Sequence, residues 1–144
     1  MNVDVNGLEM LSRAEAVALL ETQEVGRLVY TRRALPAVTP VNFAVRGGGI
    51  LIWTGSASSL GQALRGAVVA FQVDELDRMA HSGWSVTVTG AAQVVTDETE
   101  LVKARIDGPV PWVPGIKEHL IRIPITMVTG RWLGERDHAG RGGP

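Results

Sequence analysis

The sequence predicts a mainly β protein with short helices, an α+β chain whose strands form a closed or partly closed barrel. About six strand-like segments follow one another at spacings of about 8 to 15 residues, and only two or three short helices interrupt them. This pattern favours a barrel over a parallel sheet. With 144 residues and 45% apolar content, the chain can bury one core. We therefore expect one domain over residues 1–133 and a disordered, glycine-rich tail over residues 134–144.

The first elements are a capped helix and a strand. Ser12-Arg13-Ala14-Glu15 is a capping box, in which the Ser hydroxyl and the Glu carboxylate satisfy free N–H groups at a helix start. A strand follows over Glu24 to Thr31, where apolar residues mix with glycine and arginine. Arg32 and Arg33 mark the turn after it.

The next two strands form a β-hairpin around a glycine triplet. Val38 to Arg46 and Ile50 to Thr54 flank Gly47-Gly48-Gly49, where a chain that takes positive φ meets no Cβ penalty. A glycine triplet can also indicate a phosphate loop. That loop needs a helix after it, and here a strand follows, so the hairpin is favoured.

The middle of the chain predicts a short helix and two strands. The helix runs from Ser58 to Arg65 and is closed by Gly66. Ala67 to Val73 is rich in β formers. Trp84 to Thr96 predicts one long strand, in which Gly90 marks a bulge or a bend.

The last third predicts a helix, a loop and a strand. Asp97-Glu98-Thr99-Glu100 places acids in the first turn of a second helix. Three prolines between Pro109 and Gly115 remove N–H donors, so this segment is a semi-rigid loop. Leu120 to Gly130 returns to strand character, with Pro124 at a bulge or an edge.

Composition excludes several classes of protein. Lys plus Arg number 14 against 15 Asp plus Glu, so the net charge of −1 offers no field that attracts nucleic acid or anionic lipid. The absence of cysteine excludes disulfides, thiolate metal sites and a cysteine nucleophile. His81, His119 and His138 show no metal-ligand spacing. No apolar run approaches the roughly 18 residues of a membrane span, and we expect a cytoplasmic protein.

The best functional lead is the end of the second hairpin arm. Thr39 to Phe43 lies beside Ile50 to Thr54, which runs directly into the hydroxyl-rich segment Gly55 to Leu60. A strand that ends in Thr and Ser and continues into a helix start presents N–H groups and hydroxyls to one point. The sequence therefore predicts a seat for an anion such as a nucleotide phosphate.

Taken together, these segments resemble the pyridoxamine 5'-phosphate oxidase-like, FMN-binding split-barrel family. The similarity is greatest to small bacterial members, which include flavin- and deazaflavin-dependent reductases and nitroimidazole-resistance proteins. It covers residues 11–133 and depends on an ordered set of short motifs: Leu11-Ser12-x-x-Glu15, Val25-Gly26-Arg27-Leu28, Pro40-Val41-Asn42-Phe43, Trp53-Thr54, Phe71-Gln72-Val73-Asp74, Gly83-Trp84-Ser85-Val86, Pro111-Trp112 and Gly130-Arg131. The resemblance implies a homodimer of six-stranded split β-barrels with cofactor sites at the subunit interface.

The resemblance also implies which residues hold the cofactor. The residues that would line the isoalloxazine ring are Pro40, Val41 and Asn42. Those that would lie at the cofactor phosphate are Trp53, Thr54, Ser58 and Ser59. Those that would approach from neighbouring segments or from the other subunit are Trp84, Trp112 and Arg131.

The chain departs from the family at the phosphate. The family usually has an Arg before the strand-ending Thr and a Lys after the helix-opening Ser, and this chain has Trp53 and Ser59 there. Losing two charge-assisted hydrogen bonds weakens binding of a phosphorylated cofactor by about 3 to 6 kcal/mol. Trp53 either stacks on a ring or fills the space of the missing arginine. Asn42 needs a partner if it is buried, and either a flavin edge or a backbone group could supply one.

Three hypotheses follow for function. The first is an FMN-dependent oxidoreductase that acts on a small organic substrate and needs no acid or base side chain, since the cofactor supplies the chemistry. The second keeps the fold but uses a deazaflavin coenzyme, whose long anionic tail would need a basic groove. The third is a split barrel without a cofactor that serves as a binding or interaction module, and the missing Arg/Lys pair is its main support.

Overall fold

The computed structural model describes residues 3–4, 7–55, 64–112 and 119–135. Within these ranges the chain is mainly β with two short helices, as the sequence predicts. The elements in chain order are β1 (Glu9–Leu11), α1 (Arg13–Leu20), β2 (Val25–Arg32), β3 (Leu35–Asn42), β4 (Ala44–Arg46), β5 (Gly49–Thr54), β6 (Val68–Asp77), β7 (Ser82–Ala91), β8 (Gln93–Val94), α2 (Glu98–Asp107), β9 (His119–Pro124) and β10 (Met127–Leu133).

These strands form two antiparallel sheets. The first sheet has six strands in the order β1-β10-β7-β6-β2-β3, and the second has four in the order β4-β5-β9-β8. The register of the first sheet places Arg27 of β2 between Pro40 of β3 and Gln72 of β6. Closure of the described strands into one six-stranded barrel is not seen, so the split barrel remains a prediction at this point.

The main core lies between the inner faces of the two sheets and α1. Helix α1 contributes the fully buried Leu20, and fully buried members from the two sheets include Leu28, Ile50, Ile52, Phe71, Val86, Ile121 and Ile123. The Phe71 ring meets Phe43 edge to face, with centroids 4.8 Å apart. A Cβ at Gly26 would overlap the Phe71 ring, so the glycine that precedes Arg27 is needed for this packing.

A second, smaller cluster lies on the other face of the second sheet, beneath α2. Its buried members are Leu51, Val95, Ala104 and Leu120, and Trp53 and Leu101 pack against them. We call this group the α2 cluster. Because side chains alternate along β5, Ile50 and Ile52 enter the main core while Leu51 and Trp53 enter the α2 cluster.

The predicted strand from Val38 to Arg46 is wrong as a single element. The chain divides at Phe43, which is buried and whose N–H donates to the Glu24 carbonyl at 3.0 Å. The residues before Phe43 belong to β3 in the first sheet, and those after it belong to β4 in the second. The crossing thus brings an edge of one sheet next to the hairpin of the other.

The predicted strand from Leu120 to Gly130 is divided in the same way. Pro124 ends β9, because it has no N–H to continue the ladder, and β10 begins at Met127 in the other sheet. The Ile125 N–H donates to the Gly48 carbonyl at 3.0 Å, which fastens the crossing to the β4–β5 turn.

The long strand predicted from Trp84 to Thr96 also breaks, between β7 and β8 at Ala92, whose N–H donates to the Ala67 carbonyl at 2.8 Å. Gly90 lies in regular pairing opposite Val69 and is not a bulge. A Cβ there would overlap the Pro124 carbonyl oxygen, so the close approach of β9 is what requires glycine.

Several local predictions are confirmed. Ser12 and Glu15 form the capping box of α1, and Asp97 caps α2 by accepting from the Glu100 N–H at 3.0 Å. The glycine hairpin is present, with positive φ at Gly47 and Gly48. The predicted helix from Ser58 to Arg65 lies mostly in residues 56–63, outside the described residues, as do residues 113–118 of the proline loop and its sequel and 136–144 of the tail.

Candidate functional site

The strand that carries Pro40, Val41 and Asn42 is an edge of the first sheet. In the described part of the chain, β3 pairs with β2 alone, so its outer margin has no strand partner. Val41 turns inward and packs against the main core, while Pro40 is exposed on the opposite face. In the described chain the strand therefore presents backbone groups without a strand partner, which a ligand could bind.

Asn42 connects this edge strand to the segment after α2. Its Oδ1 accepts a hydrogen bond from the Trp112 backbone N–H at 2.8 Å. Of the two partners that the sequence left open, the structure contains the backbone group. This bond holds Trp112 beside the edge strand with its side chain 67% exposed. The indole therefore lies at the surface.

A cleft of about 430 Å³ opens next to Trp112. It lies between the end of α1, strand β4 and the segment after α2, and its lining includes Glu21, Glu24, Phe43, Arg46 and Trp112. The Arg46 guanidinium at its margin donates to the Val45 and Asp107 carbonyls, each at 2.7 Å. This volume falls in the range of small-molecule sites.

Thr54 ends β5 in a buried position. It is 3% exposed, and its Oγ1 makes no hydrogen bond within the part of the chain that the structure describes. A buried hydroxyl without a partner costs about 1 to 3 kcal/mol, so most such groups in native proteins are paired. Thr54 stands immediately before the segment that the sequence identifies as the anion seat. A ligand oxygen is a partner that would satisfy it.

Trp53 faces the other way, into the α2 cluster. The Arg105 guanidinium carbon of α2 lies 4.6 Å from the centroid of its ring, in a cation–π contact. Of the alternatives for Trp53, the structure thus favours packing over an open stacking surface. Its role toward a cofactor stays a prediction, and Ser58 and Ser59 lie outside the described residues.

Trp84 and Arg131 lie away from the edge strand in a single chain. Trp84 is 5% exposed and belongs to the main core. Arg131 is on β10, where its Nε lies 2.5 Å from Asp4 Oδ2. Four interstrand steps separate β10 from β3, about 19 Å at the usual strand spacing. One copy of the chain does not bring Arg131 to Pro40, Val41 and Asn42.

Arg105 is the contributor to this region that sequence reasoning missed. The helical spacing of Leu101, Ala104 and Arg105 places them on adjoining positions of one face. That spacing signals that the face packs against something, but it does not reveal Trp53 as the partner, because β5 and α2 are far apart in the chain.

The described ranges contain neither a metal site nor a membrane-spanning helix. No group of three or more His, Asp or Glu side chains there is arranged to hold a metal ion. Among the helices described, neither is long and apolar enough to cross a membrane.

Comparisons with known proteins agree on one family. The sequence model of the pyridoxamine 5'-phosphate oxidase family matches residues 12–132. The chain is also 39% identical over 126 residues to an uncharacterized protein of Mycobacterium tuberculosis, in an alignment that covers 83% of this chain and 82% of that protein.

Two solved structures show the same fold. The FAD binding protein from Mycobacterium smegmatis matches with a TM-score of 0.74 and 32% identity, covering 88% of this chain and 98% of that one. A protein from Corynebacterium glutamicum, provisionally assigned as a pyridoxamine 5'-phosphate oxidase, matches with a TM-score of 0.78 and 30% identity, covering 89% of this chain and 99% of that one.

Proposed function

Because the chain belongs to the pyridoxamine 5'-phosphate oxidase family, we propose that it is a flavin-dependent oxidoreductase acting on a small organic substrate, with FMN as its cofactor. The match to the FAD binding protein from Mycobacterium smegmatis, at 32% identity over 98% of that chain, supports a flavin. The observation that carries the proposal is the buried Thr54 hydroxyl, which has no partner in the described ranges.

The buried Thr54 hydroxyl and the edge strand β3 support binding of such a group, although Trp53 and Ser59 replace two cations of the family. Thr54 would donate to a phosphate oxygen, together with the hydroxyls that follow it in sequence. Pro40 and Val41 would flank the ring along the outer margin of β3, which pairs with no second strand in the described chain, so its backbone groups could bind the ring edge. When bound, the flavin supplies hydride transfer, and the protein supplies position and electrostatics.

Trp112 has a positioning role in this proposal. Asn42 holds it through the backbone bond of 2.8 Å, and the indole borders the 430 Å³ cleft. A substrate in the cleft would contact the indole, which would limit its motion and shield part of it from water. Holding the two reacting groups together is the main requirement of hydride transfer.

We extend the proposal to a homodimer of split barrels with the flavin at the subunit interface. The face of the first sheet that points away from the main core carries exposed apolar side chains, with Val38, Val68 and Met127 at 63%, 70% and 62% exposure. Pro40 and Arg131 share this face at opposite sides of the sheet. A two-fold arrangement would bring Arg131 of one copy toward β3 of the other.

The first experiment measures the absorbance spectrum of the purified protein and its titration with FMN, FAD and riboflavin. FMN should bind, and Thr54→Val should weaken it about tenfold to a hundredfold by removing a charge-assisted hydrogen bond. The same replacement should stabilise the flavin-free protein, because it removes an unpaired buried hydroxyl. Thr99→Val, at an exposed site on α2, serves as the matched control.

The outcomes separate the alternatives. A deazaflavin absorbance spectrum would contradict FMN as the cofactor and support the deazaflavin hypothesis. A colourless protein that ignores all three flavins would overturn the proposal and favour a binding module without a cofactor, which the packed position of Trp53 supports.

The second experiment tests the dimer by light scattering after size-exclusion chromatography. The protein should have twice the mass of one chain, and Val38→Asp should give a monomer that has lost flavin affinity. Val102→Asp, at a similarly exposed apolar site on α2, is the control. A monomeric protein that binds flavin fully would contradict the interface site.

A further inference from the structure

A second cleft, of about 450 Å³, lies on the outer face of the second sheet beside α2. We call it the α2 cleft. Its floor is apolar and is formed by the members of the α2 cluster, Leu51, Val95, Ala104 and Leu120. Its charged lining comes from Arg46, Glu100, Lys103, Asp107 and Arg122. Of these residues, Arg46 also lines the 430 Å³ cleft beside Trp112, and the others do not.

Arg122 is the most enclosed of these charges. Its side chain is 23% exposed, and its Nη2 donates to the Gly47 carbonyl. A Cβ at Gly47 would lie 3.1 Å from Nη2, and one at Gly49 would lie 2.9 Å from Nε. The glycine triplet therefore does more than close a hairpin, because its bare backbone lets the guanidinium lie against the turn.

Among the residues that the structure describes, this guanidinium has donors without a hydrogen-bond acceptor. A guanidinium has five N–H donors. Within the described chain its nearest carboxylate is Glu100, with Oε1 at 4.0 Å from Nη1, which is beyond hydrogen-bond distance. Arg122 is thus a largely enclosed cation at the edge of an apolar floor, with a backbone bond to Gly47 and further donors that no described residue takes up.

The charges that line the α2 cleft indicate which ligand charge it favours. Three cations, Arg46, Lys103 and Arg122, line it against two carboxylates, Glu100 and Asp107. The excess is one positive charge, which suits a monoanion better than a polyphosphate. A planar guanidinium fork matches a carboxylate in two parallel hydrogen bonds.

We propose that the α2 cleft binds a small amphiphilic monocarboxylate, with its carboxylate on Arg122 and its apolar body on Leu51 and Leu120. Lys103 adds a second, weaker attraction from the exposed surface of α2. The site is separate from the flavin site, because Leu51 and Thr54 project from opposite faces of β5. Saturating the protein with flavin should therefore leave the affinity for the carboxylate unchanged.

The test is calorimetric titration of the full chain with octanoate, octan-1-ol and octylammonium. The affinity for octanoate should be at least about tenfold higher than the affinity for octan-1-ol, and octylammonium should not bind. Arg122→Gln should weaken octanoate about tenfold or more, whereas Arg78→Gln, an equal charge change at an exposed turn, should not.

Two further variants guard against loss of folding. Lys103→Gln changes an exposed helix residue and should weaken octanoate about threefold while the protein stays folded. Gly49→Ala keeps the charge of Arg122 but displaces its Nε, and it should also weaken binding. Equal affinity for octanoate and octan-1-ol, no binding of octanoate, or full affinity in either Arg122→Gln or Lys103→Gln would overturn the proposal.

Discussion

The two faces of β5 lie in very different surroundings. On one face, Ile50 and Ile52 enter the main core, where side chains from both sheets are almost completely buried. On the other, Leu51 and Trp53 join a cluster of few residues, covered by α2 and edged by charges. One face gives the protein its stability. The other borders a cleft of about 450 Å³ that has room for a ligand.

The sharpest test of this contrast removes a large side chain from the main core. Phe71→Ala should lower the free energy of unfolding by about 3 to 5 kcal/mol, because Phe71 is fully buried against Phe43 and Gly26. Urea denaturation measures the loss. Met79→Ala, at a 94% exposed site in the turn after the same strand, is the control and should change little. A loss below about 1 kcal/mol for Phe71→Ala would contradict the assignment of the core.

The corresponding change in the α2 cluster should be smaller and more local. Leu120→Ala removes a buried side chain that is 1% exposed, and we expect a loss of about 2 kcal/mol, since α2 can settle into the space. Hydrogen exchange should show faster exchange of the α2 amides than of β6 and β7. Equal acceleration in all three elements would mean that the two faces form one cooperative unit.

The hydrogen bond between Asn42 and the Trp112 backbone should contribute still less to the free energy of unfolding. Asn42→Ala removes the acceptor of the Trp112 N–H and should cost about 1 kcal/mol. It should also free the indole, which a change in tryptophan fluorescence would report. Asn42→Asp keeps an acceptor oxygen and should preserve the tie. Identical spectra for both variants and the parent would refute the positioning role of Asn42.

The smallest expected effect concerns the cation on the α2 cluster. Arg105→Gln removes the guanidinium above Trp53 and should lower stability by about 0.5 to 1 kcal/mol. Arg105→Lys keeps the charge and should recover part of that loss. Thermal unfolding at matched pH and salt measures both. A fall in FMN affinity that exceeds the loss of stability would indicate a second role for Arg105. It would then supply the positive charge that the family usually places at the position of Trp53.

Sequence reasoning predicted what is decided locally. The capping box at Ser12 and the turn at Gly47 follow from hydrogen bonds and backbone angles within a few residues, and both are confirmed. It could not predict that the chain changes sheets at Phe43, Ala92 and Pro124, because a β-rich segment has the same sequence pattern whichever sheet it joins. The need for glycine at residue 90 comes from Pro124, a neighbour in space and not in sequence.

The candidate site shows the same division. The sequence identified Thr54 and the strand that contains Pro40, because the residue types and their order along the chain indicate a ligand site. It did not show that Trp53 and Thr54 meet opposite environments, or that Arg105 would lie over Trp53. Both facts depend on where α2 packs, which no local pattern encodes.

The pairing of β1 with β10 has a consequence for connectivity. Glu9 lies opposite Trp132 and Leu11 opposite Gly130, so the first and last strands are immediate neighbours running in opposite directions. A short peptide bridge could therefore join them without crossing the molecule, and new ends could be opened at the tight turn of Arg33 and Ala34. Such a circular permutant would retain every strand neighbour of both sheets while moving its termini to the far end of β2 and β3.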